Sequence, residues 1–173
     1  MKVVAIVVVF LALLAATGHI DVTLWTGDSK SATARELQTM FEVEQSSDLD
    51  EATAALYKLV DSAPRDRRGA TLIRGQLPGL VTRFDAAASS LHARTFDVDV
   101  TTSLGRHFRG AFLRTVAQQR WLVDALGDEI AVGRPTWRAV RRFNVRSRAL
   151  GRWWQAQLDA AYSQLHEEEP SSS

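Results

Sequence analysis

Residues 136–167 carry Val140, Phe143, Ser147, Leu150, Trp154, Leu158, Ala161 and Leu165 at intervals of three or four positions throughout. Only an α-helix, with 3.6 residues per turn, gathers such positions onto one stripe, and the stripe is a heptad-like seam. A helix exceeding about 40 Å in length cannot bury its own seam, so it demands a second long helix beside it. Residues 104–132 supply that helix, with Leu104, Phe108, Phe112, Thr115, Gln119, Leu122, Leu126 and Ile130 in phase. Between the two stands Gly133-Arg134-Pro135. Glycine suits the left-handed residue that follows a helix and proline suits the first turn of the next. A turn this short makes the two helices antiparallel neighbours.

The same periodicity predicts three helices upstream. Residues 31–45 place Leu37, Met40, Phe41 and Glu44 on one face, and Thr33 with Glu36 has capping-box spacing. Ser46-Ser47 interrupts the pattern, and Ser47 is positioned to cap a second helix whose stripe is Ala52, Ala55, Leu56, Leu59 and Val60. Pro64 ends it. A third helix over 65–94 keeps Ile73, Leu77, Leu80, Phe84, Ala88 and Leu91 in register across Pro78-Gly79, which predicts one kinked helix rather than two. Residues 95–103 form a polar, β-branched connection. The expected fold is therefore all-α. It is a bundle of about five helices over residues 31–168, with a long antiparallel C-terminal hairpin.

Residues 3–16 (VVAIVVVFLALLAA) are uninterruptedly apolar, follow Met1-Lys2 and end in small residues, with Ala16 and Gly18 at signal-peptidase spacing. This is the pattern of a signal peptide over residues 1–18, cleaved after Gly18 or Ala16. A retained membrane anchor is the second expectation, although about 24 Å of helix falls short of a hydrocarbon core of about 30 Å. A buried β-strand over residues 2–10 is the third, and it lacks convincing strand partners downstream. In the first two cases Lys2 keeps the N-terminus inside, and the helical domain is extracytoplasmic, either secreted or anchored to the membrane. Residues 19–30 read as a linker and 169–173 as a disordered tail.

Cysteine is absent, which excludes disulfides and thiolate metal sites. The net charge is only +1, yet the charges fall in blocks. Residues 28–61 are acidic, 65–120 basic and 121–133 acidic, while 134–152 hold arginines with no acid among them. Internal matching between adjacent helices accounts for such blocks without any ligand. Glu42, Glu44, Asp48, Asp50 and Asp61 are the candidate partners.

The candidate site is the basic face of the last helix. Arg134, Arg138, Arg141, Arg142, Arg148 and Arg152, together with Arg146, lie away from the seam, as do Trp137 and Trp153. Cationic, tryptophan-bearing faces bind anionic lipid headgroups or polyanionic wall polymers. Off-seam tryptophans also arise where another helix packs. Export makes nucleic acid a poor partner. A second candidate is the polar layer Thr115, Gln119 and Ser147, which could line a ligand cavity between the two long helices or simply fix their register. His92, His107 and His166 lie on different helices without metal-ligand spacing, Asp97 and Asp99 read as ordinary turn acids, and no catalytic motif or phosphate-cradling loop is present. The sequence thus leads to an expectation of a non-enzymatic interaction or scaffolding module without cofactor or metal. It would bind a protein partner, or the anionic membrane or cell wall. A small-ligand carrier or sensor is the alternative.

Overall fold

A computed structural model describes residues 32–168, and every regular element in that span is helical. The elements are α1 (Ala32–Gln45), α2 (Leu49–Ser62), α3 (Arg67–Phe96), α4 (Ser103–Ala131) and α5 (Thr136–Glu168). The expectations for the leader, the linker and the tail fall outside the described residues.

The three long helices run up, down and up, and their side-chain register follows from the short turns. Asp85 of α3 pairs with Arg120 of α4, and Phe112 of α4 stacks 5.6 Å from Trp154 of α5. The first two helices act as one interrupted rod along α3. Glu51 of α2 meets Arg83 at 2.7 Å. At the break, Arg94 donates to the Ser46 carbonyl at 3.2 Å and to the Ser46 hydroxyl at 2.5 Å. Tyr57 of α2 lies 5.5 Å from Phe143 of α5, ring centre to ring centre, which brings the first rod against the last. The result is a four-rod antiparallel bundle about 45 Å long, with its first rod broken after α1.

The core runs the full length of the rods. All eight seam residues of α4 are buried, and so are Val140, Phe143, Ser147, Leu150, Trp154 and Ala161 of α5. Trp154 anchors one end, with Phe108 at 5.2 Å and Phe112 at 5.6 Å. Phe41 touches Phe108 at 5.7 Å and draws α1 into the same aromatic group. Tilted rings at such distances add to the stabilisation that area burial alone provides.

Local chemistry sets the turns. The Asp66 side chain accepts from the Gly69 N–H at 2.9 Å and starts α3. Gly69 is required there, because any Cβ would overlap the Pro64 backbone. The Thr102 hydroxyl caps α4 in the same way, accepting from Gly105 at 3.0 Å. Gly133 takes φ +79°, the left-handed conformation expected between α4 and α5. Helix α3 continues through Pro78, whose position on the exposed face leaves the seam intact.

Four local expectations are corrected. Thr33 lies buried inside α1 and is not its cap. Glu36 does not close a capping box on α1 but reaches the start of α4 instead. The residue before α2 is Asp48, which makes no side-chain cap. Ser47 Oγ accepts only a long 3.4 Å bond from the Leu49 N–H. Finally, α3 extends to Phe96 rather than ending at 94, and Thr95 in its last turn is fully buried.

Candidate anionic-surface interface on α5

The arginine-rich part of α5 divides into three strips once the bundle is assembled. On the α4 flank, Glu129 receives Arg142 at 2.5 Å and Arg134 at 3.9 Å. On the α2 flank, half-buried Arg148 faces Asp61. Burial pushes the Asp61 carboxyl up from its ordinary range, and the charges of Arg148 and Arg65 partly offset that rise. Between these flanks Arg138, Arg141 and Arg152 are exposed, and among the described residues no acid pairs with them. Internal charge matching therefore operates at the edges of α5 and leaves its outer strip uncompensated. Glu129 forms the ion pairs, and Asp61 lies within electrostatic reach of Arg148 without a direct one. The other suggested partners, Glu42, Glu44, Asp48 and Asp50, make no ion pair with α5.

Trp137 and Trp153 are half-buried against the core. The Trp137 indole N–H donates to the Asp66 carbonyl at 3.4 Å, which sets the start of α5 against the α2–α3 turn. That turn carries exposed Arg65, Arg67 and Arg68, so the basic surface continues onto the end of the bundle. A shallow cleft of about 570 Å³ lies there, lined by Asp66, Arg67, Arg68 and Thr71.

Two exposed apolar residues at this face were not singled out from the sequence. Trp121 of α4 is 58% exposed, and its ring carries the Arg146 guanidinium 5.6 Å from the centroid. Val145 is 60% exposed and sits among the unpaired arginines. Both are off-seam positions by helical spacing, so their exposure is legible in the sequence. That Trp121 lies beside Arg146 depends on the register across the hairpin.

The polar layer is buried as a set. The Thr115 hydroxyl donates to the Ala111 carbonyl one turn back at 2.9 Å, Gln119 is buried, and Ser147 Oγ lies near the Tyr57 hydroxyl without a hydrogen bond of good geometry. The Tyr57 hydroxyl is likewise buried without a partner bond of good geometry. Burial pushes its ionisation up, with the nearby Ser147 hydroxyl offsetting part of that rise. A separate buried group is Glu44, 3% exposed, with an unpartnered Oε1. Burial, reinforced by the charge of Asp50, raises its pKa to about 8.

Among the described residues no group of histidines and carboxylates could hold a metal ion, and no helix is long and apolar enough to cross a membrane. Comparison with protein-family models, curated proteins and solved structures finds no match, so the chemistry of these surfaces carries the functional argument by itself.

Proposed function

We propose that this protein is an exported or membrane-anchored helical interaction module that engages an anionic surface or an acidic partner through the outer strip of α5. The observation that carries the proposal is the exposure of Arg138, Arg141 and Arg152, with no acid paired to them among the described residues, in a chain whose net charge is only +1. A solvated strip of one sign attracts polyanions and speeds their encounter. The apolar leader pattern at residues 3–16 supports an extracytoplasmic location, where anionic headgroups and wall polymers are the available polyanions.

Retention of the full chain on a polyaspartate matrix tests the reading. Retention should weaken steeply with salt, and the triple variant R138E/R141E/R152E should lose on the order of 100-fold in affinity. Equal retention of the variant and the natural chain would remove α5 from the site. Intact-mass measurement of the mature chain after cell fractionation tests export: an unprocessed, cytosolic product would discard that part.

A carrier for a small ligand is the second reading. Its support is the pair of buried hydroxyls on Tyr57 and Ser147, which neighbour one another without a hydrogen bond of good geometry, beside the buried Thr115 and Gln119. Under it, a compound with a polar head and an apolar body should raise Tm, and Ser147→Leu should abolish the rise. No rise with any such compound would leave the layer as a register device.

A further inference from the structure

We propose that the anion is a lipid headgroup layer, and that Trp121 and Val145 enter it while Arg138, Arg141, Arg146 and Arg152 contact its phosphates. This rests on the assignment of α5 as the anion-facing helix and adds the class of surface it meets. The spacing carries the argument first. Arg138, Arg141, Val145 and Arg152 recur at three, four and seven positions, so they share one outward strip, with the apolar valine at its centre. Trp121 stands alongside, held across the hairpin by Arg146. A tryptophan 58% exposed and a valine 60% exposed thus stand beside and within the arginine strip. A lipid interface uses both kinds of side chain. Indole rings favour the headgroup level, valine adds buried apolar area, and arginine stems lie along the apolar layer with their heads at the phosphates.

One alternative occupant is disfavoured by charge. A second copy packed α5 on α5 would set arginine against arginine, because residues 134–152 hold no acid. The strip from Arg138 to Arg152 extends about 21 Å, long enough to rest on a bilayer through several headgroups at once.

Vesicles carrying brominated acyl chains test the assignment with the full chain. They are made from phosphatidylcholine alone and with phosphatidylserine added. An apolar N-terminal segment is indifferent to headgroup charge, so the informative signal is the extra tryptophan quenching on the anionic vesicles. That extra quenching should disappear in Trp121→Phe and persist in Trp137→Phe. Val145→Asp should lower anionic-vesicle partitioning on the order of tenfold, and R138E/R141E/R152E should lower it on the order of 100-fold. Equal quenching on both vesicle types, or quenching that survives Trp121→Phe, overturns the lipid assignment. If polyaspartate retention still depends on the arginines in that case, an acidic protein is the partner and only this inference falls. If the arginines matter to neither probe, the α5 reading falls with it.

Discussion

The Glu36 carboxylate on α1 accepts the Thr101 backbone N–H of the α3–α4 turn at 2.7 Å, and the same group accepts Thr102 N–H at 3.1 Å. Both threonine hydroxyls donate to it as well. Helix α4 has no acid in its first turn, so Glu36 supplies from another helix the negative charge that a helix N-terminus favours. Gly105 belongs to the same arrangement, because a Cβ there would overlap the Glu36 carboxylate and the Thr102 hydroxyl.

That contact predicts acid sensitivity. Burial alone would raise the Glu36 pKa, but the hydrogen bonds from Thr102 and Thr101 outweigh it and hold the pKa at about 2, against an ordinary 4.5. A depressed carboxylate stabilises the fold fully above its unfolded pKa. The contribution then declines as pH drops from about 4.5 through about 2. Glu36→Gln should therefore cost about 1–3 kcal/mol at neutral pH. Its urea midpoint should converge on that of the natural chain near pH 2. Unchanged midpoints at pH 7 would show that the cap adds no stability.

Glu44 predicts the opposite slope. Its pKa, raised to about 8 by burial and by Asp50, means that the folded state holds a proton that the unfolded state releases above about 4.5. Stability from this group accordingly falls as pH rises between those values. Glu44→Gln removes the charge that must be desolvated and should raise stability by about 1–3 kcal/mol at pH 8. At pH 4 it should have little effect. Thermal melts across pH 4–9 would check the sign, and a variant less stable at pH 8 would contradict it.

The Tyr57 hydroxyl is buried without a partner bond of good geometry, whereas its ring packs against Phe143. Tyr57→Phe keeps the ring contact and deletes an unsatisfied donor, so stability should stay level or rise by about 1 kcal/mol. Tyr57→Ala should cost about 3–5 kcal/mol, like other large aromatic truncations. A Phe variant less stable by about 1 kcal/mol or more would mean that the hydroxyl is bonded, to Ser147 or through water.

Trp154 joins Phe108 and Phe112 in the core. Trp154→Ala should destabilise by about 3–5 kcal/mol and uncouple α4 from α5. Trp121→Ala, at a 58% exposed site, should stay within about 0.5 kcal/mol of the natural chain. Parallel chemical denaturation separates the two roles. A large loss in the Trp121 variant would assign it to the core.

Much of the bundle was legible from spacing. The seams at Leu104, Phe108, Phe112, Thr115, Gln119, Leu122, Leu126 and Ile130 are buried as their periodicity required, because a helix exposes the same face every 3.6 residues whatever it packs against. Gly133 and Pro135 likewise state their own backbone preferences, and the turn between α4 and α5 follows from them. The candidate face was legible in the same sense. Helical spacing put Arg138, Arg141 and Arg152 off the seam before any neighbour was known.

Tertiary structure decided which polar groups meet. Glu36 sits at capping-box spacing from Thr33, yet it bonds Thr101 and Thr102, some 65 residues away, because packing of α1 beside the α3–α4 turn offers it more donors than its own helix does. Glu129, rather than any acid of α1 or α2, neutralises Arg142 and Arg134 for a similar reason. The short turn fixes the register of α4 against α5, and that register selects the partner. Local sequence sets the direction in which a side chain leaves its helix. The neighbour it encounters there depends on how the rods are aligned, which is a property of the whole bundle.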